Sequence, residues 1–477
     1  MQLIKSKLAD INYLSKIVKI DEFSKHPNEE YTKLKIATID GFHIAMSVDM
    51  KPGVYVYFPV MSQINPEILS YLNLYRDGSM NKNADKTGFF EKNGRVKAIR
   101  LGGALSEGFI LPIQDLFDWI QDAVAIKMTI DDVTIGSEFD SAEHNGKTFW
   151  ISKKFIVPIK LPPVRDKENY RNKKLKKFNR IIDNQFRFHY DTVLIKKEPY
   201  AIKPDDIIHI SSKWHGTSLI ASRVLCKTPR ARSKKLLFKL YKLLKGNYNM
   251  YDTDDYFAEY DYIYSSRTVI KNANINPTTK QGFYAVDVWK YGFEYLKPYL
   301  IKGMTIYAEI VGFLPNGQFI QKSYDYGCRQ PRHPDDYKEG TNFKVVIYRI
   351  TLTNEDGVLH EFSPREVQVW CKNNNLQPVT EFYYGYAGDL YPDLDRSNHW
   401  CENFIERLAD DKRFFMEMSS PDCINKVPHE GIVIKIDDMK SRAWKLKCFK
   451  FINKEQELLD KGITNIEDSQ SQLKDDV

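Results

Sequence analysis

Hydrophobic and polar positions alternate in short bursts through the first third of the chain. Lys33-Leu34-Lys35-Ile36-Ala37-Thr38-Ile39 runs into an Asp40-Gly41 turn and resumes as Phe42-His43-Ile44-Ala45-Met46-Ser47-Val48, the pattern of a hairpin. Residues 54–60 follow a Pro52-Gly53 turn, and further strands are predicted at 96–101 and 108–112. A helical insert is predicted at about 66–74, and 113–133 reads as a helix with a strand-like end. Short strands with one helical insert fit a small barrel of the OB type over residues 1–150. Such barrels commonly hold single-stranded or nicked nucleic acid.

The pattern then changes. Residues 151–185 are polar, basic and broken by Leu161-Pro162-Pro163, which predicts a linker. From 186 to 453 strand-like runs alternate with helical spacing, as in an α+β domain with a large antiparallel sheet. Residues 233–244 place leucines at helical spacing among lysines and predict a basic surface helix. Residues 454–477 predict a short helix and an acidic tail. The expected fold class is α+β, an N-terminal OB-type barrel followed by a second domain built on an antiparallel sheet.

With 42% hydrophobic residues over 477 positions, the chain has apolar surface for two or three domains, which excludes general disorder. The net charge of +7 hides a local asymmetry. Residues 153–182 hold eleven Lys/Arg against two acids, and 227–245 hold eight against none. From 454 onward the sign reverses, with seven acids against three lysines. Segregated basic blocks suggest a polyanionic partner, nucleic acid foremost. The six cysteines are widely spaced, without Cys-x-x-Cys or a Cys/His ligand spacing, so they read as reduced thiols rather than a disulfide frame or zinc site. Met1-Gln2-Leu3-Ile4-Lys5 lacks the apolar run of a signal peptide, and no stretch approaches membrane-spanning length. The expectation is a soluble cytoplasmic protein with no membrane partner.

Candidate chemistry starts at Lys213-Trp214-His215-Gly216, which follows the β-branched run Ile207-Ile208-His209-Ile210. A lysine held at a strand end can act as a nucleophile, and the glycine lets backbone approach a nucleotide. Four later segments suit a nucleotide pocket. Arg267 sits beside serines in a β-prone stretch and offers a bidentate phosphate contact. Glu309 is the single carboxylate in the apolar run Thr305-Ile306-Tyr307-Ala308-Glu309-Ile310-Val311-Gly312, where burial demands a partner. Tyr348 offers an aromatic face in Val345-Val346-Ile347-Tyr348. Glu430 precedes Gly431-Ile432-Val433, and the alternation Trp444-Lys445-Leu446-Lys447 puts both lysines on one strand face.

In this order the segments resemble the motifs of the covalent nucleotidyltransferases, the superfamily of polynucleotide ligases and capping enzymes. The histidine of Lys213-Trp214-His215-Gly216 is typical of RNA ligases, and the nearest resemblance is the Deinococcus-type family, with its OB domain ahead of the ligase domain. The resemblance spans roughly residues 1–450. Residues about 225–260 form a long basic insert that departs from the usual spacing ahead of Arg267.

The resemblance implies an ATP-dependent RNA ligase acting through lysyl-AMP on RNA or an RNA/DNA duplex with a nick or break. Lys213 would be the nucleophile and Lys445 and Lys447 would hold phosphate. Glu430 would bind Mg²⁺ or Mn²⁺, Glu309 would contact ribose, and Tyr348 would stack on adenine. Arg267 would reach phosphate, Gly216 would border the nucleotide, and His215 would serve the later steps. Two alternatives stay open: a DNA ligase or GTP-dependent capping enzyme of the same superfamily, and a non-catalytic nucleic-acid-binding protein on a ligase-like fold.

Overall fold

The computed structural model describes residues 1–7, 9–157, 178–229, 251–253, 255–274, 286–440 and 442–463. The predicted helix at 233–244, most of the basic linker and the end of the acidic tail lie outside the described residues.

In the N-terminal part the hairpin forms as predicted, Leu34–Ile39 against Phe42–Ser47. A four-stranded sheet runs Phe109–Pro112, Gly53–Phe58, Ser15–Ile20, Glu138–Phe139. The ladders among the described residues form separate small sheets and do not close into the expected barrel. The reason lies in the core. Ala37, Ile39, Phe42, Ile44 and Met46 of the hairpin strands pack on Val18, Ile20, Tyr55 and Tyr57 as side-chain layers. The other side of the sheet is covered by the helices Pro66–Tyr71 and Ile113–Val124, through Ile68, Leu69, Leu116, Phe117 and Ile120.

The larger part contains two sheets, mainly antiparallel, where one large sheet was expected. The first runs Val193–Leu194, Ala443–Lys447, Gly431–Ile436, Ile207–Ser212, Glu381–Tyr386. The second runs Tyr256–Ser265, Thr217–Pro229, Met304–Gly312, Phe343–Thr353, Leu359–Glu361. The central strands of the second sheet are near-continuous apolar runs, mostly buried, whereas Gly431–Ile436 and Ala443–Lys447 of the first alternate between core and cavity. The helix Trp400–Ala409 contributes Trp400, Phe404, Ile405 and Leu408 to the core of the first sheet. Val288–Leu296 and Pro364–Asn373 pack on the second through Trp289, Phe293, Val367 and Cys371. The latter helix starts with a Ser363/Glu366 capping box and Pro364 in its first turn.

The chain passes from one sheet to the other within Lys213–Gly216. Lys213 N–H donates to the Gly431 carbonyl at 2.9 Å, and Thr217 already pairs with Ile310. The helix Phe449–Asp460 ties this part to the N-terminal part. Gln456 bonds both backbone groups of Ala98, at 2.8 and 3.1 Å, and Asp460 pairs with Arg95 and Lys97 at 2.6 and 3.0 Å. Elsewhere on the seam, Lys196 pairs with Glu107 at 2.6 Å and Lys197 with Glu138 at 3.0 Å. No helix among the described residues is long and apolar enough to cross a membrane.

Candidate functional site

A cavity of about 310 Å³ opens beside the crossover, and Lys213, His215, Gly216, Arg267, Glu309, Tyr348, Glu430, Lys445 and Lys447 all line it. That volume is at the lower end of the range of small-ligand pockets. The first sheet supplies Lys445 and Lys447, Glu430 immediately precedes its strand Gly431–Ile436, the second sheet supplies Glu309 and Tyr348, and Arg267 follows the Tyr256–Ser265 strand. Lys213 stands where the sheets are joined.

The lysine is held by charge. Its Nζ lies 2.6 Å from Glu430 Oε1, and the Glu430 side chain is only 5% exposed. Burial acts to raise the Glu430 carboxyl, but Lys213, His215 and Lys447 outweigh it and hold the group well below the usual carboxylate range. Glu430 Oε2 is buried without a hydrogen-bond partner. His215 Nδ1 approaches it at 3.3 Å, an ion-pair distance without hydrogen-bond alignment. A buried carboxylate oxygen without a hydrogen bond, on a cavity lined by lysines, has the chemistry of a divalent metal ligand. No group of three or more His, Cys, Asp or Glu among the described residues could hold a metal, so phosphate oxygens and water would have to complete its shell.

Lys445 and Lys447 face the cavity, while Trp444 and Leu446 enter the core behind them. Burial, with Lys447, Lys213 and Arg267 nearby, pushes Lys445 down to about 7. Lys447 is equally enclosed, yet Glu455 at 2.9 Å and Glu430 at 3.9 Å reverse the effect of burial and raise it. Arg267 pairs with Asp191. Tyr348 OH lies 3.3 Å from Ser218 Oγ, and His189 stands edge-on to its ring at 5.1 Å.

Gly216 has a steric reason of its own. Its N–H donates to Glu309 Oε1 at 2.9 Å. A Cβ there would run into the Ile310 carbonyl oxygen and lie 2.7 Å from Val311 Cγ1 and 2.9 Å from Glu309 Cγ. The neighbouring strand by itself demands glycine here.

Several groups at the site escaped sequence reasoning. Tyr326 OH accepts from His215 N–H at 3.0 Å and donates to its carbonyl at 2.8 Å, and its ring stacks on Trp214. Ser212 Oγ lies 3.0 Å from His429 Nε2 and bonds Asp422, which ties the residues just before Lys213 and Glu430 together. His189 is held well below its ordinary value by burial and then by Arg349, Arg267, Lys435 and Lys213, so it stands as neutral imidazole. Lys435 donates to the Tyr348 carbonyl at 2.6 Å, and burial pushes it down to about 8. Only Lys435 left a sequence signal, since it alternates with Val433 on a strand face that both direct into the cavity.

No family model and no curated protein matches the chain. Solved structures of a Naegleria gruberi RNA ligase are similar along most of the chain, among them three in complex with ligands. A mutant with ATP and Mn shares 15% identity at a TM-score of 0.48, covering 93% of this chain and 99% of that one. A mutant with AMP and Mn shares 16% at 0.49, with the same coverage. The ligase with PPi shares 15% at 0.47, covering 94% of this chain and 100% of that one. Likeness at this level carries no inference on activity.

Proposed function

We propose that the protein is an ATP-dependent RNA ligase that joins 3′-hydroxyl and 5′-phosphate ends, with nicks bearing an RNA 3′-hydroxyl strand as its substrate class. One observation carries the reading: Lys213, at the junction of two sheets, shares a cavity with Lys445, Lys447, Arg267, Glu309, Glu430 and Tyr348. Their motif order, with histidine at position 215, supports RNA over other polynucleotide ends.

In this reading Nζ of Lys213 attacks the α-phosphorus of substrate ATP, the bond to pyrophosphate breaks, and a lysyl-AMP phosphoramide forms. AMP then passes to a 5′-phosphate, and a 3′-hydroxyl displaces it to seal the strand. Each step is an in-line displacement in which positioning and charge neutralisation do most of the catalysis. Lys445 and Lys447 hold the α-phosphate, Glu309 contacts ribose, Tyr348 stacks on adenine, and Arg267 reaches phosphate. His215 serves the steps after lysine adenylylation. Glu430 would hold Mg²⁺ or Mn²⁺, which when bound supplies charge neutralisation at the phosphates.

Incubation with labelled ATP or GTP and Mg²⁺ tests this. An acid-labile label from ATP is expected on the wild type and none on Lys213→Ala. Equal labelling of the two, or no label at all, defeats the proposal, and label from GTP alone turns it toward capping. Sealing of nicked duplexes with an RNA or a DNA 3′-hydroxyl strand separates RNA from DNA ligase.

A further inference from the structure

The helix Phe449–Asp460 lies outside both sheets, yet Phe451, Ile452, Lys454, Glu455, Leu458 and Leu459 of this helix line the cavity. Its position is fixed from two sides. Gln456 and Asp460 bind Ala98, Arg95 and Lys97 of the N-terminal part, while Phe451 meets the His215 ring edge-on at 5.0 Å. Glu455 is therefore delivered to the site by a braced element. Its Oε2 lies 2.9 Å from Lys447 Nζ, against 3.9 Å for Glu430 Oε1, and both partners of the closer pair are about one-fifth exposed.

Lys445, by contrast, forms no ion pair within 4.0 Å among the described residues; Asp191, which pairs with Arg267, acts on it only from a greater distance. One of two adjacent cations is thus open to an anion, and the other is already neutralised from outside the sheets. Lys447 cannot serve a phosphate at full strength while Glu455 holds it, because carboxylate and phosphate oxygens around one ammonium repel each other in a weakly screened cavity. We propose that Glu455 is an internal counter-anion that occupies the phosphate position of Lys447 and yields it to the nucleotide, so that it sets nucleotide affinity. Like the ligase assignment, this rests on Lys447 being a phosphate contact.

Equilibrium binding of ATP in EDTA, measured by calorimetry on the full chain, tests it without requiring turnover. Glu455→Gln keeps the side chain's shape and a hydrogen-bond acceptor but removes the charge, so binding should tighten about three- to tenfold. Glu457→Gln removes the same charge from an exposed position of the same helix and should leave the dissociation constant unchanged. In a Lys447→Met background the Glu455→Gln effect should vanish. Tightening in Glu455→Gln alone supports the proposal. Unchanged or weaker ATP binding in a Glu455→Gln protein with wild-type melting temperature overturns it, as does equal tightening in Glu457→Gln. If Glu455→Gln melts early, the same comparison on Glu455→Ala decides, by the same criteria. A wild type that binds ATP but never takes covalent label would sink the ligase reading and leave this comparison standing.

Discussion

Replacing Lys445 by methionine should stabilise the free protein, and by an amount that depends on pH. The side chain lies between two other lysines and an arginine, and burial together with those charges pushes its ammonium from 10.5 down to about 7. Between those values the unfolded chain holds a proton here that the folded chain does not, so raising pH through that window stabilises the fold. Below about pH 7 both states are charged and the full penalty applies. A shift of that size corresponds to at most about 5 kcal/mol. Side-chain relaxation and water entry reduce the expected gain to about 1–3 kcal/mol, or a few degrees in melting temperature for a chain this long. Thermal unfolding of wild type and Lys445→Met near pH 6.5 and near pH 10 is the assay. The variant should melt higher at the lower pH and lose that advantage at the higher one. Pyrophosphate added at the lower pH should stabilise the wild type more than the variant. An equal melting difference at both pH values would refute the reasoning.

Three further outcomes follow from the same structure. Gly216→Ala forces a methyl against the Ile310 carbonyl and should destabilise the protein by about 1–3 kcal/mol and sharply reduce lysine labelling; a wild-type melting temperature with wild-type labelling would contradict it. Arg349 makes a buried two-point pair with Glu361 at 2.7 and 2.8 Å. Glu361→Gln leaves that guanidinium without a counter-charge and should lower stability in urea by about 3–5 kcal/mol, against no change if the pair is dispensable. Charge reversal at Lys173, Lys174, Lys176 and Lys177 should weaken sealing and flatten its salt dependence while self-adenylylation continues, and unchanged sealing would remove this block from the RNA-binding surface.

What was legible in the sequence had a periodic signal. The strand before Lys213 follows from its β-branched run, and the hairpin at Asp40-Gly41 and the shared face of Lys445 and Lys447 follow from two-residue alternation. Polar strands were harder. Ser141–His144 and Lys147–Trp150 form a hairpin in a stretch assigned no strands, although Asn145-Gly146, with φ of 49° and 75°, carries the turn signal that would have found it. The closed barrel failed because sequence alternation marks which faces are buried but not whether neighbouring sheets join by hydrogen bonds or by side chains. The helix at the C-terminal end begins at Phe449, ahead of the predicted 454, since Phe451 is an inward core residue rather than part of an acidic tail. Tyr326, His189, Asp422 and Glu455 reach the site only through tertiary packing, from segments whose local patterns say nothing about Lys213.

The central claim is that Lys213 carries AMP. Incubation with ATP and Mg²⁺ followed by mass spectrometry of the intact chain and its peptides, kept away from acid, tests it directly. The expected result is a single added AMP on the peptide containing Lys213, absent from Lys213→Ala and removed by pyrophosphate. An unmodified chain, or an adduct mapped to Lys435, Lys445 or Lys447 instead, would contradict it.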